Sequence, residues 1–160
     1  MIQKLKRPLY LKFFLLKYLP MAFMAGLKIR QFEDDTAVVG VPYNWITKNP
    51  FKSMYFAVQS MAAEFSTAIL IVQKIESSEA DIALFIVSLQ ADFLKRAQSD
   101  ASFICEGGTL IEEVVQKVKD SDSAETLRLK SIGKDMNGEV ISEFQITWSL
   151  KKREKNKRSK

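Results

Sequence analysis

The chain has 160 residues, of which 47% are hydrophobic and 27% charged, and it carries a net charge of +5. That size and balance are typical of one folded domain and exclude a disordered chain and a membrane bundle. The sequence contains no histidine, and its single cysteine, Cys105, excludes an intrachain disulfide. We therefore expect neither a metal site nor a cofactor, and any acid–base chemistry must use a carboxylate or a bound water.

The positive charge is concentrated at the two ends of the chain. The tail of residues 152–160 contains only polar and charged side chains, so we expect it to be mobile and solubilising. No aromatic side chain is interleaved with those cations, and we therefore expect no nucleic-acid partner. Peripheral contact with an anionic membrane is the minor alternative for the leading cations, which are Lys4, Lys6, Arg7, Lys12 and Lys17.

Residues 1–26 are predicted to form an amphipathic helix followed by a linker. Two lysines interrupt the apolar run of residues 9–19, which argues against an export signal. Pro8 suits the first turn of a helix, and Pro20 ends it. The favoured interpretation is that the apolar positions pack against the domain, and the alternative is a helix on a membrane surface. Those positions are Leu9, Phe13, Phe14 and Leu16.

A hairpin is predicted after this helix. Apolar residues alternate on both sides of the acidic residues 33–35, where the chain should turn, and Pro42 ends the second strand. The polar, turn-prone loop of residues 44–50 then leads into a long helix. We expect that helix to start near Ser53, with Ser53 as its N-cap.

The long helix is the most apolar part of the chain. Between Lys52 and Lys74, the only residue of ordinary acidic or basic charge is Glu64. A carboxylate in a buried helix is costly unless it is paired, hydrogen-bonded or protonated, so Glu64 is a candidate for chemistry. Small residues recur along the helix and would let a sheet approach most of its circumference. These are Ala57, Ser60, Ala62, Ala63, Ser66, Thr67 and Ala68.

The second half of the chain is predicted to be mostly strand. Residues 82–93 begin apolar on both faces, which is typical of a central strand. Apolar and other residues alternate over 101–105 in a second strand. Cys105, at its end, is expected to be an inert core residue. Thr109 and Glu112 have the spacing of a capping box before a short helix at 110–118, although its β-branched residues leave a strand open. The Asn137-Gly138 pair predicts a tight hairpin between the last two strands.

This order of elements limits the fold to an antiparallel sheet curling around one helix. Two segments, NWITKNPFKSMYFAVQSMAAEFSTA (44–68) and GEVISEFQITWSLK (138–151), resemble the hotdog-fold thioesterases, in particular a branch related to the phenylacetyl-CoA type. The resemblance implies an α+β fold in which a curved antiparallel sheet wraps around one long central helix. This hotdog domain would span residues 27–151, with an extra N-terminal helix before it.

The resemblance also implies a site. Thioesterases of that type have His-Gly-Gly at the start of the central helix and an acid nine positions after the histidine. The acid falls on Glu64, whereas the His-Gly-Gly positions hold Tyr55, Phe56 and Ala57. By this resemblance Glu64 is the base or nucleophile, and the backbone N–H of Ala57 is the oxyanion donor. We assign substrate contacts to Asn49, Tyr55, Phe56, Gln59 and Met61.

The function implied is hydrolysis of an acyl-CoA or another acyl thioester by a cytoplasmic protein. Nine residues of helix span about 13 Å, so Glu64 and the helix start of one chain cannot both reach one carbonyl. A homodimer, alone or within a tetramer, would combine them across two chains. The alternative is a non-catalytic acyl-thioester or lipid-binding module, favoured by the loss of His-Gly-Gly. Glu64 would then be a buried acid hydrogen-bonded to Ser60, Ser66, Thr67 or the backbone.

Overall fold

Six strands and four α-helices form the described part of the chain, which comprises residues 2–121 and 123–153 of a computed structural model. A 3-10 turn, Ile2–Lys6, precedes the helices, which are α1 (Pro8–Tyr18), α2 (Pro20–Ala25), α3 (Phe56–Ser78) and α4 (Gly108–Asp120). The strands are β1 (Lys28–Phe32), β2 (Thr36–Val41), β3 (Ile82–Phe93), β4 (Ala101–Glu106), β5 (Glu125–Asp135) and β6 (Val140–Lys152). They form one antiparallel sheet in the order β1-β2-β4-β5-β6-β3.

The sheet wraps around α3, which confirms the predicted hotdog fold with its buried central helix. α3 contacts strands β2, β4, β5 and β6. Four of its small residues are completely buried and allow this close approach, namely Ala62, Ala63, Ser66 and Thr67. By length and composition alone α3 could cross a membrane, but most of it is buried inside the domain, as in a soluble core helix.

Buried hydrogen bonds fix the position of α3 along the sheet. The hydroxyls of Ser66 and Ser131 lie 2.8 Å apart, and the Trp148 indole N–H donates to Thr67 Oγ1 over 3.1 Å. Within α3, the hydroxyls of Ser66 and Thr67 also donate to the backbone carbonyls three residues earlier. Because an unpaired buried polar group is costly, sliding the helix along the sheet would break each of these pairs.

The N-terminal segment contains more helix than predicted. α1 matches the expected range, but residues 20–25 form a second helix in place of a linker, with Gly26 in the left-handed conformation at its end. Leu11 and Leu15 are the residues of α1 buried against the domain. The expectation that the other apolar positions pack is wrong for three of them, since Leu9, Phe13 and Leu16 are 68%, 64% and 52% exposed.

The long helix starts three residues later than predicted, and Ser53 is not its N-cap. Ser53 instead binds Asn49, whose Oδ1 accepts from both the backbone N–H and the hydroxyl of Ser53. Met54 then donates its N–H to the carbonyl of Ala97, and α3 begins at Phe56 with Tyr55 as N-cap. Pairing with a distant strand connection therefore delays the helix.

β3 is an edge strand, and the prediction of a central strand is wrong. It pairs with β6 alone, and a bulge between Ile86 and Ser88 interrupts that pairing. Ile82 at its start is buried, but from Phe85 onward the large apolar side chains of β3 are exposed. Exposed fractions range from 63% for Phe85 to 39% for Ile86, with Val87, Leu89 and Phe93 between them.

α4 forms as a helix, but the predicted capping box does not cap it. Gly107 is the N-cap, and the carboxylate of Asp35, in the β1–β2 turn, accepts from the backbone N–H of Thr109 over 2.8 Å. The turn approaches so closely that a Cβ on Gly108 would lie 2.2 Å from a backbone oxygen of Asp34. Glu112 points away to Lys74 of α3.

The hairpin at Asn137-Gly138 is confirmed, with Gly138 at φ 83° between β5 and β6. Cys105 is completely buried in β4, and burial raises the pKa of its thiol to about 12, in agreement with the predicted inert core position. β6 continues to Lys152. The remainder of the predicted mobile tail, residues 154–160, lies outside the described residues.

Candidate active site

The loop before α3 is held in shape by its own side chains. Asn44 Oδ1 accepts from the backbone N–H of Ile46, and the Thr47 hydroxyl donates to the carbonyl of Pro42 over 2.7 Å. The Tyr55 N–H donates back to the carbonyl of Thr47. These local turns, typical of Asn and Thr, fix the direction from which the chain enters the helix.

A groove with a volume of about 640 Å³ lies between this loop and the end of β3. It contains four of the five predicted substrate-binding residues, Asn49, Tyr55, Phe56 and Gln59. The opposite wall is the segment Phe93–Ala97, which was not among the predicted substrate-binding residues. The volume is in the range of small-molecule sites.

Two polar residues of the groove already have partners. Gln59 is almost completely buried, donates to the carbonyl of Met54 over 3.2 Å and accepts from the Ser142 hydroxyl over 3.0 Å. Asn49 Oδ1 accepts from the N–H groups of Phe51 and Ser53. Both side chains therefore shape the groove walls, and Gln59 in particular joins the start of α3 to β6.

Aromatic rings form much of the groove surface. Phe56 is 55% exposed, and its ring contacts Tyr55 at 4.8 Å and Phe93 at 6.4 Å between centroids. Phe93 continues the edge-to-face series into the core at Phe144. The position that glycine occupies in the family resembled is thus a ring at the surface of the groove.

The helix start provides free hydrogen-bond donors. The carbonyl of Tyr55 accepts from Val58 and Gln59, so the hydrogen bonding of α3 begins there. Within the described residues, the backbone N–H groups of Phe56 and Ala57 have no acceptor. Together with the helix dipole, two such N–H groups favour an anion or a developing negative charge.

Glu64 lies two turns further along, beside a separate cavity of about 200 Å³. It is half-buried, and its carboxyl group has no hydrogen-bond or ion-pair partner among the described residues. The nearby Thr67 hydroxyl binds the backbone carbonyl of Glu64, not its carboxylate. The alternative of a core acid hydrogen-bonded to Ser60, Ser66, Thr67 or the backbone is therefore wrong, since none of these groups bonds to the carboxyl group and the three hydroxyls donate to helix carbonyls instead.

Burial raises the pKa of Glu64 from 4.5 to about 7. The physical cause is the loss of water around the charged form, with no cation to compensate. Such a carboxyl group changes its protonation state near neutral pH, which is the property required of a general base.

The N-terminal helices form one wall of the Glu64 cavity. This wall is the segment Tyr18–Ala22 at the α1–α2 junction, and Met61 and Phe65 also line the cavity. Met61, predicted to bind substrate, therefore lies with Glu64 and not in the groove. The contribution of residues 18–22 was not predicted, because nothing in a proline-containing turn indicates which distant helix it will cover.

The two parts of the predicted site are thus apart within one chain. The groove collects Asn49, Tyr55, Phe56 and Gln59, and the second cavity collects Met61 and Glu64. Ala57 is half-buried between them and lines neither cavity. Among residues 2–121 and 123–153, no group of three or more Cys, Asp or Glu side chains could hold a metal ion.

Known structures share this fold at low sequence identity. A Pseudomonas aeruginosa protein of unknown function, described as a probable thioesterase, is 18% identical over 91% of this chain and 97% of its own, with a TM-score of 0.78. A putative thioesterase from Shewanella oneidensis is 11% identical over 88% of this chain and 94% of its own, with a TM-score of 0.73. A Haemophilus influenzae thioesterase is 14% identical over 89% of this chain and 90% of its own, with a TM-score of 0.66.

These similarities confirm the resemblance to hotdog-fold, thioesterase-like proteins at the level of the fold. No protein-family model matches the chain, and no curated protein matches it. Because one fold supports many functions, activity must be argued from the residues of the two cavities.

Proposed function

We propose that the protein hydrolyses acyl thioesters, with acyl-CoA as the substrate class, at a site formed across a homodimer. The observation that carries this proposal is the uncompensated carboxyl group of Glu64. A buried acid without a partner destabilises the fold, and such groups cluster at functional sites. Its pKa of about 7 leaves a large fraction in the basic form under cytoplasmic conditions.

In this proposal the Glu64 carboxylate accepts a proton from a water molecule as the water oxygen bonds to the thioester carbonyl carbon. The carbonyl oxygen becomes an oxyanion, bound by the free N–H groups of Ala57 and Phe56 at the helix start. The C–S bond then breaks and the thiol leaves with the proton. The products are one carboxylic acid and one thiol.

The separation of donors and base requires a second chain. Ala57 and Glu64 are seven residues apart on one helix, which corresponds to a rise of about 10 Å. A carbonyl bound at the helix start of one protomer would therefore meet Glu64 of the partner subunit. Two-fold symmetry would produce two such sites.

The exposed edge at β3 supports the dimer. A long apolar edge strand with unpaired backbone groups is a template for strand pairing. The groove wall at Phe93 belongs to the end of this strand, so a partner docked along β3 would lie beside the groove. We propose an isologous dimer along β3 as the minimal active form, with a tetramer as a further assembly.

The acyl chain would follow the apolar walls of the groove. The aromatic rings of Tyr55 and Phe56 favour flat or short acyl groups at the mouth. Met61, with its flexible thioether, would adapt to the acyl chain beside Glu64. Gln59 and Asn49 act as positioning residues through the loop and strand contacts described above.

The decisive variant is Glu64→Gln, which keeps the shape of the side chain and removes its charge. Thiol release from short, aromatic and long acyl-CoA substrates should fall by roughly 10²–10⁴-fold, as for a lost general base. Wild-type turnover should rise as the pH increases through about 7, because the carboxylate is the active form. Glu113→Gln, at an exposed acid on α4, is the matched control.

The same assay can reject the proposal. Turnover unchanged in Glu64→Gln, with the wild-type pH dependence retained, would exclude Glu64 as the base. Thermal unfolding of both variants shows whether a loss of rate reflects a loss of fold.

The dimer is tested separately by light scattering at micromolar concentration. Val87→Lys/Leu89→Lys places two charges on the β3 edge and should yield a monomer with little turnover. Met136→Lys, at a 74% exposed hairpin position, should stay dimeric and active. A wild-type protein that is active and strictly monomeric would contradict the shared site.

A second candidate function is non-catalytic binding of an acyl thioester or lipid. The observation favouring it is the Phe56 ring at the groove surface, where the resembled family has no side chain. Calorimetry with acyl-CoA distinguishes the two. Binding that survives in Glu64→Gln, with no turnover by the wild type on any acyl class, would favour this module.

A further inference from the structure

The outer side of α1 and α2 carries an apolar surface that the domain does not cover. Six large side chains, exposed by 39% to 68%, define what we call the N-terminal apolar face: Leu9, Phe13, Leu16, Leu19, Met21 and Met24. The opposite side of the same helices is buried through Leu11, Leu15, Ala22 and Ala25. The face is therefore held in place by packing, and its exposure is not caused by a detached helix.

This arrangement is unusual for a helix of a soluble domain. Such helices are typically apolar toward the core and polar toward water, whereas α1 is apolar on both sides. Scattered apolar side chains need no explanation, but a contiguous set on adjacent turns marks an interaction surface. On α1, positions 9, 13 and 16 form one stripe along the exposed side.

The charge around the face has a single sign. The first 32 residues contain seven Lys and Arg and no Asp or Glu. Lys12 and Lys17 lie exposed on α1 itself, and Arg7 precedes its first turn. An apolar stripe flanked by lysines is the pattern of helices that lie in a membrane interface.

We propose that the N-terminal apolar face docks the protein onto an anionic lipid bilayer. Leu9, Phe13 and Leu16 enter the boundary between headgroups and acyl chains. Lys12 and Lys17 remain at the level of the anionic headgroups, where their long stems allow them to reach phosphate. Leu19 and Met21, at one end of the face, also line the Glu64 cavity, whereas Leu9, Phe13 and Leu16 do not. Docking through these three residues goes beyond the proposed thioester hydrolysis and does not depend on it.

A second copy of the chain fits the face less well than a bilayer does. A two-fold contact centred on the face would place its cations against the same cations of the partner, which is repulsive. The domain also offers a different surface for self-association, the largely apolar edge of β3, which carries no cation and one acid, Asp92. Charge complementarity therefore selects an anionic surface.

The test is flotation of the full-length protein with vesicles. We expect binding to vesicles of equal parts phosphatidylcholine and phosphatidylglycerol, and little binding to phosphatidylcholine alone. Adding about 0.5 M NaCl should weaken binding, because it screens the lysine–headgroup attraction. Equal binding to both vesicle types, or none to either, would overturn the proposal.

Two pairs of variants separate the apolar and the charged contributions. Phe13→Ser/Leu16→Ser should weaken binding roughly tenfold or more, through lost burial of apolar surface. Lys12→Glu/Lys17→Glu should weaken it roughly ten- to hundredfold. Because all four side chains are exposed, the variants should keep the wild-type melting temperature.

Matched controls change the same properties elsewhere. Trp45→Ser/Met136→Ser removes two side chains that are 79% and 74% exposed, and Lys117→Glu/Lys151→Glu makes the same change in net charge. Both should bind like the wild type, as should a chain ending at residue 153. Binding lost with the tail and retained in the α1 variants would overturn the proposal. A change of oligomeric mass in Phe13→Ser/Leu16→Ser would assign the face to a protein contact instead.

Discussion

The two ends of α3 treat their charged and polar groups in opposite ways. At the C-terminal end, the buried Lys74 donates to Asp34 of the β1–β2 turn and to Glu112 of α4, each over 2.9 Å. Burial pulls the pKa of Lys74 down, but these two hydrogen bonds and charges outweigh it and hold the pKa above its usual value. In the N-terminal half of α3, the carboxyl group of Glu64 and the N–H groups of the first turn have no such partners within residues 2–121 and 123–153.

Under the proposed function, this difference separates a structural charge, Lys74, from a functional one, Glu64. Lys74 links three elements, and its two carboxylates are themselves exposed, so the cluster needs nothing further. Glu64 and Phe56 each line a cavity, and Ala57 lies between the two cavities. Lys74 is buried and Glu64 half-buried, so both lose water, but only Lys74 has partners that compensate for that loss.

Among the variants that test this comparison, the largest expected effect comes from removing a hydrogen-bond donor at the start of α3. Ala57→Pro deletes an N–H that has no acceptor, at a position in the first turn where proline is tolerated. We expect kcat to fall by roughly 10²–10³-fold, as when one oxyanion donor is lost, while the melting temperature stays near the wild-type value. Ala57→Gly keeps the N–H and should retain activity. A fully active Ala57→Pro would place the oxyanion elsewhere.

The next largest effect is a loss of stability when Lys74, near the C-terminal end of α3, loses its two carboxylate partners. Asp34→Asn/Glu112→Gln leaves the Lys74 ammonium buried without an anion and should cost about 3 kcal/mol of unfolding free energy near pH 7. The pKa of Lys74 should drop accordingly, so the loss should shrink at high pH, where the lysine is neutral. Denaturant unfolding measures the cost. Glu143→Gln, in the exposed pair with Lys130, should cost less than about 1 kcal/mol, and equal costs would remove the distinction between buried and surface pairs.

The smallest expected effect is a gain of stability when Glu64 loses its charge. The folded pKa of Glu64 is raised to about 7, so the protonated form is favoured and stability is lost as the pH rises from about 4.5 through 7. Glu64→Gln should therefore be more stable than the wild type at pH 8, by on the order of 1–3 kcal/mol, and equally stable at pH 4. Thermal unfolding at both pH values checks this. A destabilised variant at pH 8 would mean that the carboxylate is compensated after all.

Much of the local structure could be predicted from sequence. Asn137-Gly138 and the acidic turn at residues 33–35 specify hairpins through backbone preferences of the residues themselves. The burial of α3 follows from twenty-one residues between Lys52 and Lys74 that include only one ionised side chain of ordinary charge, Glu64. Four substrate-binding predictions lie on one groove because they occupy the same loop and first helical turns.

The errors in β3 and at the starts of α3 and α4 have a common cause, which is that the sequence does not show which distant residues will become partners. The apolar pattern of β3 shows which side chains are hydrophobic. It does not show whether a neighbouring strand or a second chain will cover them. The start of α3 depends on Ala97, and the N-terminus of α4 on Asp35, 74 residues before Thr109. The capping spacing at Thr109 was therefore a local signal that a tertiary contact overrode.

The sequence by itself determined the order of the elements apart from α2, the two hairpin turns, the central position of α3 and the lone acid between Lys52 and Lys74, because these depend on local preferences and on the cost of burying charge. Only the tertiary structure decided that Glu64 lacks a partner whereas Lys74 has two, that the helix start and the acid lie on separate cavities, and that α1 leaves an apolar face uncovered. Each of these depends on which surfaces contact each other in the folded chain, because the burial and the partners of a residue are set by its neighbours in space and not by the residue alone.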